Sequence, residues 1–271
     1  MQTAASGTRP ASVWRSGTDR GEVLGTLVKK PRANMKVAIS SASFARLLAS
    51  GDLTQLEWLD SCASALGADG VVFDRAHFPR TDREYVAQLR KIAVDRGLVP
   101  LAIDDPGLLA SHVAATERHT AIELAAGIGA LFVLTVLPPR GEIPPAAFVA
   151  AVGAAKAAVA AAKAANITLL AGAAPGTLGE DVPALRHFLK DVDSAWLRYA
   201  LPAGADRSAF NARDRALVVT VDPAADLDAL AEIDETARPW LLLTGEVDSE
   251  RVSALRRAGA RKTLATAGVF F

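Results

Sequence analysis

The chain is poor in the residues that make the easiest functional signatures. Its 271 residues include one cysteine, four histidines, two methionines and two tyrosines. A lone Cys62 excludes an internal disulfide and fits a reducing, cytoplasmic compartment. It sits at helical spacing from Leu59 and Leu66, which predicts a small buried hydrophobe rather than a nucleophile. Charge of one sign is also lacking, since 30 Lys and Arg balance 30 Asp and Glu. No basic excess offers a surface to track phosphates, so a nucleic-acid partner is not expected. No uninterrupted apolar run reaches the roughly 18 residues that a membrane helix needs. The nearest stretch, 145–165, is interrupted by Lys156 and Lys163 and is rich in alanine, which makes a strong helix. No membrane partner is expected. Motifs of the GxSxG, CxxC, HExxH and P-loop types are absent as well.

What is present is a repeat. Apolar runs at 36–40, 70–74, 99–104, 131–136, 167–172, 196–201, 217–221 and 240–245 are separated by polar breaks and helical stretches. Most of the runs are continuous in Val, Ile and Leu, as strands covered on both faces require. Eight strands alternating with helices over this length predict a closed (β/α)8 TIM barrel spanning 35–271. Hydrophobic residues at 51% supply the core. Helices are expected at about 54–66, from Asp82 to Gly97, 115–126, 145–165, 181–190, 224–235 and 249–258. Thr81 or Asp82 should cap the second, and Pro183 fits the first turn of the fifth. The polar stretch 203–215 predicts one crossover helix short or missing. Residues 1–34 carry Gly, Ser, Thr and six Arg or Lys without an apolar core, and read as a flexible N-terminal extension. Met35 stands immediately before the first strand.

A TIM barrel places chemistry at the C-terminal ends of its strands. Polar residues at those ends are Ser41 and Ser43, Asp74, Arg75 and His77, Asp104 and Asp105, Thr135, Asp222 and Glu246. Of these, Glu246, Asp104 and His77 are the candidates for acid–base work. Ser41, Ser43, His77 and Arg140 are the candidates for ligand binding, Arg140 through an anion. Polar strand ends also occur simply because the chain leaves the core there. Asp105-Pro106-Gly107 reads as a turn. The run 176–181 enters a helix start, where Glu180 and Asp181 argue against an anion site.

The stretches MKVAISSASFARLL, LEWLDSCASALGADGVVFD and HFPRTDREYVAQLRKIAVDRGLVPLAI resemble the sugar phosphate isomerase/epimerase family, the xylose-isomerase-like TIM barrels. The likeness is strongest over 35–104 and keeps its order to about 250. The family implies a divalent metal held at the ends of strands five to eight by a glutamate, an aspartate, a histidine and a glutamate. Such a set suits manganese, magnesium, cobalt or zinc and polarises a sugar carbonyl. At the matching positions this chain carries Gly172, Pro202, Thr220 and Thr244, with Gly204 retained after strand six. None supplies a carboxylate or an imidazole. His77, His112, His119 and His187 all precede strand six, so no histidine can replace the missing one by a slip of register. The resemblance without the tetrad implies no metal cofactor. It leaves two readings: a non-catalytic homologue binding a small sugar or polyol or a partner chain, or an isomerase working without metal or with a relocated one. Assembly as a homo-oligomer or with a partner subunit remains open to both.

Overall fold

A computed structural model describes residues 36–110, 113–141, 145–203, 217–221, 240–245, 247–250 and 252–254. The chain divides into Met1–Arg32 and Ala33–Phe271, and the barrel belongs to the second unit. The expected extension 1–34, the crossover at 204–215 and the helix at 224–235 lie outside the described residues, as do His112, Gly204, Asp222 and Glu246.

Eight parallel strands close in sequence order: β1 (Val37–Ser40), β2 (Gly70–Asp74), β3 (Val99–Asp104), β4 (Phe132–Val136), β5 (Thr168–Gly172), β6 (Leu197–Pro202), β7 (Val218–Val221) and β8 (Trp240–Leu243). The ring is completed by β1 pairing with β8, Ala38 opposite Leu242. Each apolar run of the sequence therefore became one strand, with ends that agree to within two residues. Between them stand α1 (Ala45–Ser50), α2 (Gln55–Ser64), α3 (Arg83–Asp95), α4 (Ala115–Ile128), α5 (Pro145–Ala164) and α6 (Val182–Val192).

Local chemistry sets the helix ends. Thr54 and Glu57 form a reciprocal capping box on α2. Asp82, not Thr81, caps α3 by accepting from the Tyr85 amide. Pro183 sits in the first turn of α6, where its missing N–H has no helical partner to lose. By length and composition α5 alone among the described helices is apolar enough to cross a membrane. Here it connects β4 to β5 and buries Ala151, Val152, Ala155, Ala158, Val159 and Ala162. Cys62 is fully buried, and burial pushes its thiol up to about 12, which suits a core residue.

Strand alternation separates two cores. One strand face carries Ala38, Val72, Ala102, Leu134, Leu170, Ala200, Val218 and Leu242, which pack together inside the barrel. The other carries Ile39, Phe73, Ile103, Val133, Leu169, Leu201, Val219 and Leu243, which pack under the helices. Phe132, Leu217 and Trp240 pack against the inner cluster at the N-terminal ends of the strands, with Lys36 Nζ 5.1 Å from the Trp240 ring. Gly70 makes room for that indole. A Cβ at Gly70 would stand 2.9 Å from both Trp240 Cζ3 and the Val99 carbonyl oxygen.

Overpacking of this kind costs typically about 1–3 kcal/mol. Gly70→Ala should therefore lower stability by about that amount in urea unfolding. Combined with Trp240→Leu, the loss should be smaller than the sum of the two single losses. Strict additivity would mean that the indole is not what Gly70 accommodates.

Candidate functional site at the C-terminal mouth

The inward-facing parity extends to the last residue of each strand. Following Ala38, Val72, Ala102 and Leu134, it places Ser40, Asp74, Asp104 and Val136 at the mouth. Following Leu170, Ala200, Val218 and Leu242, it places Gly172, Pro202, Thr220 and Thr244 there. Register supports the grouping: Val136 pairs with Gly172, Pro202 with Thr220, and Asp74 with Asp104. The Thr244 amide continues the ladder by donating to the Val221 carbonyl. The four positions that the resemblance singled out thus gather at one end of the barrel.

Among the described residues the inward-facing strand ends are chemically lopsided. From β4 round to β8 the ring offers a valine, a glycine, a proline and two threonines. Thr244 Oγ1 is 3.5 Å from the Val221 carbonyl. Among the described residues no group of three or more His, Cys, Asp or Glu is placed to hold a metal ion. The described donors do not fit a divalent cation of the isomerase type, which needs charged oxygens and an imidazole.

The loops after β4 and β5 close over this side. Pro139 and Thr177 form an antiparallel bridge, the Arg140 amide donates to the Gly176 carbonyl at 2.6 Å, and the Leu178 amide donates to Pro138 at 2.9 Å. Gly179 presses on the end of β5 so closely that a Cβ there would stand 2.4 Å from the Gly172 carbonyl oxygen. Arg140 Nη2 lies 4.0 Å from Asp181 Oδ2 at an exposed edge of this loop pair. Glu180 accepts from the Gly176 amide at 2.9 Å, so the loop's own carboxylate takes the place of an external anion.

Polar chemistry concentrates over β1, β2 and β3. Ser40 caps the turn 41–44 by accepting from the Ala42 amide, and Asp74 caps the turn 75–77 by accepting from Ala76. Ser41 is fully buried, accepts from the Asp74 amide at 2.8 Å and lies 3.0 Å from His77 Nδ1. Arg75 reaches across to Asp105 at 2.6 Å and ties the loop after β2 to the loop after β3. The second loop is further fixed from outside by buried Arg118 on α4, which donates to the carbonyls of Leu108 and Ala110.

Asp104 has the most perturbed proton affinity of the mouth. Burial, reinforced by the Asp74 and Asp105 carboxylates, pushes it up to about 7. Arg75 does not relieve it, being engaged with Asp105.

Of the sequence candidates, the fold brings His77, Ser41 and Asp104 into one sector. The Ser43 hydroxyl is buried and makes no hydrogen bond among the described residues. Glu246 lies outside the described residues. His119 and His187 sit on α4 and α6, each beside an acid one turn on. Sequence reading missed the partnership of Ser41 with His77, which spans 36 residues. It also missed the burial of Asp104 between two acids. Two grooves of the described surface, about 930 Å³ between α3 and α4 and about 540 Å³ between α4 and α5, lie in the helix layer. The mouth, where inward-facing polar groups converge, is the better site.

Asp104 gives a signed pH dependence. Its folded affinity for the proton exceeds the unfolded one, so the folded state holds the proton between about pH 4 and 7 while the unfolded state releases it. Stability is lost as pH rises through that window and is flat above it. Asp104→Asn should flatten the profile and raise stability at pH 8 by up to about 4 kcal/mol, from about 1.4 kcal/mol per unit. Urea unfolding of both proteins from pH 4.5 to 8 measures this. Parallel profiles would show that Asp104 is ionised as readily in the folded state as in the unfolded one.

No protein-family model matches the sequence, and no curated protein matches it. Solved structures do match the fold. The probable 3-DHS dehydratase AsbF from Bacillus anthracis superposes with a TM-score of 0.67 at 14% identity, covering 82% of this chain and 98% of that one. An L-ribulose 3-epimerase gives 0.62 at 16%, covering 86% and 98%. The IolI protein, solved with a bound zinc atom, gives 0.59 at 13%, covering 88% and 99%. Another match is described as a fusion protein containing a xylose isomerase-like TIM barrel, with a TM-score of 0.61 at 15% identity. Identities this low speak to the fold alone. By strand order, closure and these superpositions, the chain folds as a xylose-isomerase-like TIM barrel.

Proposed function

We propose that this barrel derives from sugar isomerases and epimerases, has lost their metal tetrad, and binds a small sugar or polyol at its C-terminal mouth. The observation that carries the reading is the set Gly172, Pro202, Thr220 and Thr244 at the inward-facing ends of β5 to β8. A tetrad gains affinity from three carboxylates that neutralise the ion and an imidazole that completes its geometry. Glycine, proline and threonine replace both contributions with neutral groups. Support for a sugar-like ligand comes from the fold neighbours, which include an L-ribulose 3-epimerase and a D-psicose 3-epimerase crystallised with D-fructose. A cytoplasmic location, and the absence of nucleic-acid and membrane partners, belong to the same reading and rest on the lone cysteine, the charge balance and the interruption of the long apolar stretch by Lys156 and Lys163.

A second reading has one observation in its favour. Asp104 holds a proton near neutrality, the property a general acid–base group needs, and His77 stands in the same sector. In that reading the barrel still isomerises a sugar, without metal.

Metal analysis of the purified protein separates these readings from a relocated metal site. The expected result is no stoichiometric divalent ion and a melting temperature unmoved by EDTA. Introducing Gly172→Glu, Pro202→Asp, Thr220→His and Thr244→Glu together should raise manganese affinity by at least about tenfold, provided circular dichroism shows the variant folded. Stoichiometric metal in the unmodified protein, lost on Glu246→Ala, would overturn the proposal.

A further inference from the structure

The hydrogen positions of the Ser41–His77 pair follow from counting donors and acceptors. Ser41 lies fully buried in the first turn after β1. Its Oγ meets two neighbours, the Asp74 amide nitrogen at 2.8 Å and His77 Nδ1 at 3.0 Å. An amide N–H only donates, so toward Asp74 the hydroxyl is an acceptor. The hydroxyl has a proton of its own to place, and leaving a buried donor unpaired is costly. Among the described residues, His77 Nδ1 is the one acceptor within its reach. Ser41 therefore donates to Nδ1, and the ring proton of the neutral imidazole sits on Nε2. Nε2 has no hydrogen-bond partner among the described residues, and the ring is half-buried at the rim.

The surroundings limit what that N–H can meet. Asp74 begins the turn that carries His77, Asp104 lies opposite Asp74 on β3, and Asp105 is already paired with Arg75. A phosphate or carboxylate entering this sector would face the Asp74 side chain and find the nearby guanidinium engaged with Asp105. Hydroxyl and carbonyl oxygens carry no such penalty.

We propose that Ser41 is a positioning residue that fixes His77 as the Nε2–H tautomer, so that the imidazole offers one hydrogen-bond donor to an uncharged oxygen of a polyhydroxylated ligand. The ligand half rests on the sugar-binding reading above, and the tautomer half stands without it.

Nitrogen-15 spectra of the full-length labelled protein test both halves at one neutral pH, with His77→Gln assigning the ring. The wild-type ring should show the Nε2–H pattern. Ser41→Ala should shift it toward a mixture with Nδ1–H, and Ser41→Thr, which keeps a hydroxyl, should restore it. A wild-type ring protonated on Nδ1 would overturn the assignment even if Ser41→Ala failed to fold. An unchanged pattern in folded Ser41→Ala would overturn the positioning role. Titration with D-fructose, D-psicose and L-ribulose should move the His77 resonances. D-fructose 6-phosphate should bind at least about tenfold more weakly than D-fructose. Binding of a neutral sugar that leaves His77 unmoved would overturn the donor role and keep the sugar-binding reading. Equal or tighter binding of the phosphate would overturn the choice of an uncharged ligand. If none of the four compounds binds, the ligand half fails together with the sugar reading, and the tautomer result is unaffected.

Discussion

Closure of a parallel sheet on itself is the constraint from which the other features follow. With a side-chain period of two and no free edge, every strand residue is committed either to the narrow barrel interior or to the space beneath the helices. The interior accepts Ala38, Ala102 and Ala200 beside Val72 and Leu170, while Phe73, Ile103 and Leu201 go outside. Because the strands run parallel, the same alternation delivers one inward-facing residue per strand to a common rim. A change at the end of one strand is therefore a change in what its neighbours face, even when those neighbours are distant in sequence.

That geometry makes the division of the mouth meaningful. Neutral residues scattered on unrelated loops would say little. Here the neutral residues occupy a continuous arc from Val136 to Thr244, and the acids and the imidazole occupy the arc over β1, β2 and β3. The bridge between the loops after β4 and β5 covers part of the neutral arc with backbone contacts. Among the described inward-facing strand ends, the carboxylates stand on β2 and β3, away from the positions that the family resemblance directs attention to.

Most of the scaffold was legible in the sequence because its signals are local. Continuous Val, Ile and Leu runs marked the strands, Thr81 or Asp82 marked the start of one helix, and the count of eight implied closure. The positions of Gly172 and Pro202 at the rim followed from flanking residues. The short turns 41–44, 75–77 and 178–180 and the six-residue helix at Ala45–Ser50 were not legible, since one or two turns are too short to show a period. Nor were contacts that depend on closure: the Ser41–His77 pair, the Arg75–Asp105 pair, or the burial that alters Asp104. His77, Ser41 and Asp104 were nameable as polar strand-end residues, but only three dimensions put them in one sector.

Arg118 has a consequence of another kind. Its guanidinium leaves the helix layer to grip the Leu108 and Ala110 carbonyls, so the loop that carries Asp105 is moored from behind by α4. TIM barrels diversify by varying the loops at the rim while the frame stays constant. In this chain one of those loops is not independently exchangeable: a loop of different backbone path between β3 and α4 would withdraw the Leu108 and Ala110 carbonyls and strand a buried cation. Variation is thus cheapest in the other rim loops, and the segment that supplies the acid paired with Arg75 is inherited as part of the frame.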